Sequence, residues 1–559
     1  MNANTTRIRP SSSGKSNGQW AVDGRTPLNA NEEFKAVENP LRVRERIESI
    51  YAAAGHGSIP ADDLHGRFRW WGLYTQRDQS IGGSRTASLS PEELSGEHFL
   101  LRVRLDGGAI TTGQLKVVGE ISRRFARNTA DITDRQNVQL HWVDIADVPE
   151  IWRRLEAAGL RTTEACGDTP RGILGSPVAG IAADEVIDPS GLIEQIRERY
   201  IGDPELANLP RKFKTAITGH PSVDVLPEIN DISFVGVVHP ELGPGWDIWI
   251  GGGLSTSPKL GERLGVFVAP GQALEVWHAT IFRDHGYRRL RNKARMKFLL
   301  ADWGVEKFRE VLEQDYLGYR LADGIPVVPQ GEPDHVGVHE QVDGRRWVGL
   351  TPIVGRTSGS SLIAEAAEAA GSRRLRLTPL QKILVIDVDP DQVAGLIARA
   401  EKLGFSASPS RFRRHTMACT GIEYCKMAFV NTKDTAATVI AELENRFAGV
   451  DIDVPITIAI NGCPNSCVRI QTSDIGLKGQ LAKGADGSEV ETFQVHLGGG
   501  LTSGNRQVPG LGKTLRALKV DAVDLPDYLE RVIRRFLGER NDQESFARWV
   551  HRVDEEALR

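Results

Sequence analysis

Three segments of this chain recur at almost one spacing, and that repetition constrains its fold more than any other feature. Thr133, Gln136 and Val138 in TDRQNVQLHW match Thr378, Gln381 and Ile383 in TPLQKILVID, an offset of 245 residues. Ala216-Ile217-Thr218-Gly219, followed by Asp231-Ile232, matches Ala459-Ile460-Asn461-Gly462, followed by Asp474-Ile475, at an offset of 243. DIWIGGGLSTS, with glycines at 251 to 253, matches QVHLGGGLTSG, with glycines at 498 to 500, at 247. The chain therefore reads as two related halves of about 245 residues behind an arm of about 90. Each half alternates β-branched runs (ITIAI, FVGVV, WDIWI, FQVHL) with helical stretches at 261–282, 361–370 and 524–537, which is an α/β or α+β pattern. The Pro-, Gly- and charge-rich segment 324–346 is the expected linker between the halves.

Composition narrows the class. With 69 Lys and Arg against 73 Asp and Glu, the formal charge of -4 excludes a protein that coats nucleic acid, so any basic site is local. Five cysteines in 559 residues do not make a disulfide framework and fit a reducing compartment. No apolar run approaches the roughly 20 residues of a membrane span, so a soluble, cytoplasmic protein is expected. The first twenty residues carry Arg7, Arg9 and Lys15 but no acid and no apolar core. They read as a disordered tail, although a transit peptide shares the bias.

Four cysteines form two pairs: Cys419 and Cys425 with five residues between, and Cys463 and Cys467 with three between. Clustered thiolates serve soft metals. Structural zinc favours a first pair two to four apart, and the spacing matches neither ferredoxin run, so an iron–sulfur cluster, zinc and buried free thiols all stay open on spacing alone. The i, i+4 spacing of Cys463 and Cys467, with Pro464 after the first, predicts a helix starting there with its N-H groups toward the sulfurs.

TMACTGIEYC (416–425) and NGCPNSC (461–467), with TDRQNVQ and PRKFK ahead of them in order, resemble the siroheme nitrite and sulfite reductases, from about residue 35 to the C-terminus. The likeness is strongest to the ferredoxin-dependent assimilatory enzymes, since no flavin or nicotinamide domain is attached, and among them Lys214, at the second basic position of PRKFK, resembles the sulfite reductases. That resemblance implies a [4Fe-4S] cluster on Cys419, Cys425, Cys463 and Cys467, with the Cys467 thiolate also axial to the siroheme iron. It implies that Arg135, Gln139, Arg211, Gln381, Asn465 and Arg469 face the macrocycle. Arg102, Arg171, Lys212 and Lys214 match the substrate-binding set, and the i, i+2 lysines share one face of an extended strand. The expected reaction is six-electron reduction of sulfite to sulfide by reduced ferredoxin, with nitrite reduction to ammonia as the alternative and a non-catalytic iron–sulfur or zinc module as a distant one. The implied architecture is a three-lobed α+β monomer. It has an arm at 1–95, ferredoxin-like halves at 96–160 and 340–410, and cofactor-binding lobes at 161–335 and 411–559. No nucleic-acid or membrane partner is expected.

The repeat carries further expectations. Cys166 in TEAC is the counterpart of Cys419 in TMAC, Arg171 falls opposite Tyr424, and His220 and Asp224 fall opposite Cys463 and Cys467. Some enzymes like this one carry a Tyr to Cys thioether, which would join Tyr74 to Cys166. The triple glycines fail the dinucleotide pattern, since Thr256 and Ser503 stand where the third glycine belongs. They either let backbone approach the macrocycle or turn a strand end. YRRLRNKARMK (287–297) reads as a helix with Arg288, Arg291 and Arg295 on one face: a solvated face, a ferredoxin-docking surface or a cofactor contact.

Overall fold

The computed structural model describes residues 29–281, 291–359, 363–484, 487–504 and 509–559, and among them mixed helix and sheet build four sheets. The first has the order Leu73–Arg77, Ser95–Val103, Val138–Val143, Thr129–Ile132, Arg356–Ser358, all antiparallel. Its counterpart runs Gly337–Glu340, Arg346–Leu350, Ile383–Val388, Arg374–Leu377, Ala109–Thr111. Each sheet is thus finished by an edge strand from the other half, Arg356 pairing with Asp131 and Arg374 with Thr111. The exchange covers strand edges that would otherwise stay unpaired.

Helices Thr112–Phe125, Val148–Ala157 and Val393–Lys402 lay their apolar faces on these sheets. The first starts at a capping box in which Thr111 and Gln114 satisfy each other's backbone N-H. Leu101, Leu115, Leu140 and Trp152 of the first half and Val348, Leu377, Val385 and Leu396 of the second belong to one continuous core. The two ferredoxin-like halves are therefore one packed body.

The remaining sheets are also a matched pair. Leu174–Gly175, Thr215–Thr218 and Ile232–His239 run parallel, then Gly243–Ile250 and Glu262–Val268 turn antiparallel, with Ala322–Asp323 at the edge. Thr416–Ala418, Ile458–Asn461, Ile475–Lys483, Glu489–Leu497 and Lys513–Asp521 repeat that order and polarity. The glycine repeat belongs to this design. A Cβ on Gly252 would lie 2.2 Å from the Glu228 carbonyl, and one on Gly499 2.5 Å from the Gln471 carbonyl, so both middle glycines let protein backbone, not a macrocycle, approach a strand end.

Several expectations need correction. Residues 261–282 are not one helix, because Glu262–Val268 is a strand and only Ala273–Ala279 is α-helical. ERLGVFV pairs with Gly243–Ile250 through a bulge, and Gly265 at φ 73° breaks any helix there and takes up the register shift between Arg263 and Phe267. The 324–346 linker is shorter than expected, since Gly337–Glu340 and Arg346–Leu350 pair as a hairpin. No helix follows Cys463: residues 462–469 are turns, with Ser466 at φ 55° and Arg469 at φ 70°, which break an α-helix. The basic run is not a helix face either. Arg291–Lys293 is a single 3-10 turn before helix Met296–Val311, and Arg291 and Arg295 point inward onto carboxylates, which removes the solvated-face and docking-surface readings for both. Arg288 and the N-terminal tail to residue 28 lie outside the described residues, as do residues 361 and 362 of the 361–370 helix, whose described part is Ala364–Ala369.

Candidate functional site

The two cysteine loops are set by parallel neighbours, Thr416–Ala418 leading into Cys419 and Ile458–Asn461 into Cys463. The Cys419 N-H donates to the Ile460 carbonyl at 3.1 Å, and the Gly462 N-H donates to Cys419 Sγ at 3.2 Å, which ties the pairs together. Thr432 Oγ1 donates to the Cys419 carbonyl at 2.7 Å. The first half braces the loop from outside. Lys426 Nζ donates to Thr75 and Ser95 hydroxyls at 2.7 and 2.9 Å, and Gln79 reaches the Glu423 carbonyl at 2.7 Å.

The four thiols feel one another. Desolvation raises all four, although Cys467 itself is exposed, and each is raised further by at least one other cysteine. Thiols made this reluctant to ionise alone are held by a metal that supplies the compensating charge. Among the described residues, two groups bring three ligand atoms within 4.8 Å of one another, and neither contains a cysteine. One tetrahedral zinc needs sulfurs about 3.8 Å apart, given Zn–S bonds of about 2.3 Å, and no three of these sulfurs are gathered that tightly.

Cations of the first half face Cys467. Arg102, Lys212 and Lys214 all act on its charge, as does Asp134 of TDRQ. Arg102 donates to Cys166 Sγ at 3.1 Å and to Gln139 Oε1 at 3.0 Å, and its buried Nε has no partner. Arg171 donates to the same sulfur at 3.2 Å and to the Ala165 carbonyl at 3.0 Å. Phe213 is buried between the two lysines, so their side chains take the opposite side of the chain. Neither ammonium has a hydrogen-bond or salt-bridge partner among the described residues. Burial lowers Lys214 to about 7, helped by Arg135 and Arg295, and lowers Lys212 too, helped by Lys214 and Arg211. An anion brought into this cleft would face these groups and restore the charge that burial takes from the lysines.

The other expected residues divide. Arg135 donates to Asn230 Oδ1 at 2.8 Å and the Gly172 carbonyl at 2.7 Å, and burial brings it down to about 10. Arg469, also lowered to about 10 by burial, bonds the Pro379 carbonyl and keeps an unpartnered buried Nε. Asn465 is exposed beside Cys463, whose sulfur its backbone N-H approaches. Gln139 joins the halves through Thr420 Oγ1 at 3.1 Å. Gln381 spends its amide on both backbone groups of Ala418, at 3.0 and 3.4 Å, and so positions the strand before Cys419. Arg211 turns to Asp168 at 3.3 Å.

Asp168 is one of the residues the sequence did not single out. Burial raises its carboxyl, but Lys35, Arg291 and Arg211 outweigh burial and hold it well below the usual range. Lys35 comes from the arm, with Nζ 2.8 Å from the Leu209 carbonyl, so the arm fixes the floor beneath PRKFK. Asp231 does the same for Lys214, accepting its backbone N-H at 2.8 Å and two bonds from Arg295 at 2.8 and 2.9 Å. Asp231 does stand in the repeated segment, at the place of Asp474, and that was its one visible signal.

Cys166 lies between Arg102 and Arg171. Burial would raise its thiol, but the two guanidinium groups lower it, and Tyr74 hydrogen-bonds to it. Tyr74 is raised by burial and by Cys166.

Four thiols gathered in one half, opposite a cluster of cations from the other, have the chemistry of a metal-centred redox site. The nitrite and sulphite reductase 4Fe-4S domain matches residues 166–320 and 410–559, and the nitrite/sulfite reductase ferredoxin-like half domain matches 92–158 and 339–403. The chain belongs to the nitrite and sulphite reductase family. It is 54% identical over 561 residues to a protein named sulfite reductase [ferredoxin] 2 of Mycolicibacterium paratuberculosis, covering 99% of this chain and 100% of that one. An assimilatory ferredoxin-dependent nitrite reductase of Haloferax mediterranei is 33% identical, over 94% and 92% of the two chains. The solved Mycobacterium tuberculosis NirA protein superposes with a TM-score of 0.94 at 52% identity, covering 98% of this chain and 100% of that one. No helix among the described residues is long and apolar enough to cross a membrane.

Proposed function

We propose that the chain is a ferredoxin-dependent sulfite reductase that reduces sulfite to sulfide with six electrons and six protons. The observation that carries this is the set of four cations, Arg102, Arg171, Lys212 and Lys214, gathered where Arg102 and both lysines meet the field of Cys467. Proteins named sulfite reductase [ferredoxin] from Mycolicibacterium paratuberculosis and Mycobacterium tuberculosis are 54% and 53% identical, and nitrite reductases of Haloferax mediterranei and Leptolyngbya laminosa are 33% and 34% identical.

Cys419, Cys425, Cys463 and Cys467 would hold the [4Fe-4S] cluster, with Cys467 shared with siroheme. Siroheme, with its eight carboxylates, suits the unpartnered Nε atoms of Arg102 and Arg469 and the free ammonium groups of the two lysines. The coupled pair supplies electrons at the iron. The chain supplies the rest. Arg135, Asn465 and Arg469 offset the carboxylates, and Gln139, Gln381 and Arg211 hold the walls. Arg102 and Arg171, fixed by their bonds to Cys166, bind sulfite oxygens by charge-assisted hydrogen bonds. Lys214, whose ammonium opens onto the same cleft, would hydrogen-bond a departing oxygen and give it a proton. Tyr74 and Cys166, which hydrogen-bond to each other, would be joined by a thioether. One ring C-H and one S-H are lost as the C-S bond forms, two electrons passing to an external oxidant such as dioxygen. The lobes are assigned as 96–160 with 340–410, 161–335, and 411–559, behind the arm at 1–95.

The test is kcat/KM for sulfite over nitrite with reduced ferredoxin, on protein with siroheme absorption and cluster iron and sulfide. A ratio above one supports the reading, and a ratio below one replaces it with nitrite reduction.

A further inference from the structure

The repeat that places Cys463 and Cys467 in the second half places His220 and Asp224 at the same points in the first. The backbone keeps the match. Thr215–Thr218 and Ile458–Asn461 are the central strands of matching parallel triplets, and the turns after them repeat left-handed residues, Val223 and Ser466 at φ 54° and 55°, Leu226 and Arg469 at 60° and 70°. What differs is the donor chemistry.

His335, from the stretch linking the halves, completes the first-half group, and one ligand atom each from His220, Asp224 and His335 lies within 4.8 Å of the other two. His335 Nε2 is 2.7 Å from Asp224 Oδ2, and the two imidazole rings meet edge to face at 4.9 Å. Ser176 Oγ donates to Asp224 Oδ2 at 2.8 Å and Thr218 Oγ1 to Oδ1 at 2.7 Å, which fixes the carboxylate plane. Outer hydrogen bonds of this kind orient metal ligands. Asp184, 63% exposed, sets Oδ1 3.2 Å from His220 Nε2, so a fourth oxygen donor stands at the solvent side.

The charge around this group favours a cation. Asp184, Glu185 and Asp188 gather beside Asp224, and the buried Oε1 of Glu185 has no partner. His220 Nδ1 accepts the Ser222 N-H at 3.2 Å and meets Ser222 Oγ at 2.8 Å, which fixes the ring. The other converging group, Glu332, Asp334 and His415, is different. Arg411 and Arg414 already neutralise its carboxylates at 2.6 to 3.3 Å, and Lys382 stands beside it. An added cation would be repelled there.

We propose that His220, Asp224 and His335 bind one divalent metal ion of the zinc class, with Asp184 or water completing a tetrahedral set. Two imidazoles and a carboxylate are borderline donors that suit zinc, whereas the thiols at the matching place suit an iron–sulfur cluster. The ion would staple the linker to the loop after Thr215–Thr218, where the Gln330 N-H already donates to the Pro221 carbonyl at 2.8 Å. Its work is therefore structural, and it adds to the stability of the fold in proportion to occupancy.

The test uses the purified holoenzyme, equilibrated with a small excess of zinc chloride and passed through a chelating column. Elemental analysis is expected to give about one zinc per chain beside the cluster and siroheme iron, and X-ray absorption N/O ligands at about 2.0–2.1 Å with no sulfur. Asp224→Asn should retain at least tenfold less zinc with its iron unchanged. If that variant also loses iron it reports on folding, and His220→Gln, changed at a more accessible side chain, then decides. Wild type that leaves the column without zinc, sulfur in the zinc shell, or a variant that keeps its iron and equal zinc overturns the proposal.

Discussion

Lys214 shows what a single side chain does in this cleft. Burial, with Arg135 and Arg295 nearby, holds its ammonium at about 7, against an ordinary value of 10.5. Between those values the unfolded chain keeps a proton that the folded chain has released, so the stability contributed by this group rises with pH from about 7 to 10.5, and the full cost of charging it is present below 7. A polyanion reverses the shift and draws the proton back. Siroheme binding to apoprotein should therefore take up protons, and its affinity should fall above pH 7 by up to about tenfold per pH unit for each proton. Calorimetric titration in two buffers of different ionisation heat measures the uptake, and Lys214→Met should lose part of it. Turnover gives a second readout. Lys214→Asn removes a charge-assisted hydrogen bond worth roughly 1.5 to 3 kcal/mol, so the sulfite-over-nitrite ratio should drop about tenfold to a hundredfold. Cys467→Ser removes the thiolate shared by cluster and siroheme, and should abolish sulfite turnover while the optical spectrum loses the signature of a coupled pair. Normal activity with an unchanged spectrum would remove Cys467 from the centre. For Tyr74 and Cys166 the readout is peptide mass: one joined peptide lighter by two hydrogens, against two unmodified ones.

At the level of the element, the turn glycines are where the repeat is most exacting. Gly108 and Gly355 have φ of 69° and 71°, and a Cβ on them would sit 2.3 and 2.5 Å from the carbonyls of Leu377 and Ile132, which are themselves repeat-related. Either Gly→Ala change forces a left-handed residue with a side chain against backbone that cannot swing away. Each should cost about 1–3 kcal/mol, seen as a lower midpoint in denaturant with unchanged slope. The repeat, the cysteine pairs and the short apolar strands were legible because they are local or recur at fixed spacing. The strand Glu262–Val268 was not, since a glycine-interrupted run of seven residues beside a real helix carries no clean period. Nor were the turns after Cys463, because i, i+4 spacing is compatible with a helix and the positive φ of Ser466 is not written in a serine. Asp168 and Lys35 escaped for another reason: they meet across 133 positions of sequence, and no pattern announces such a pair.

For the whole molecule, the decisive fact is that the two halves share one core and trade edge strands. A protease site placed in the irregular stretch 324–333 should, after cleavage, leave both fragments eluting together and one unfolding transition for the shared body. Fragments that separate without denaturant would contradict the exchange. Arg356–Ser358 closes the sheet begun by Leu73–Arg77, so that sheet cannot be completed while the ribosome is still making the first half. At about 5–20 residues per second, the roughly 225 residues from Ile132 to Arg356 take on the order of 11 to 45 seconds to synthesise. Through that interval the edge at Thr129–Ile132 stays open in the nascent chain, and a chaperone that shields unpaired strand edges has its longest working window there.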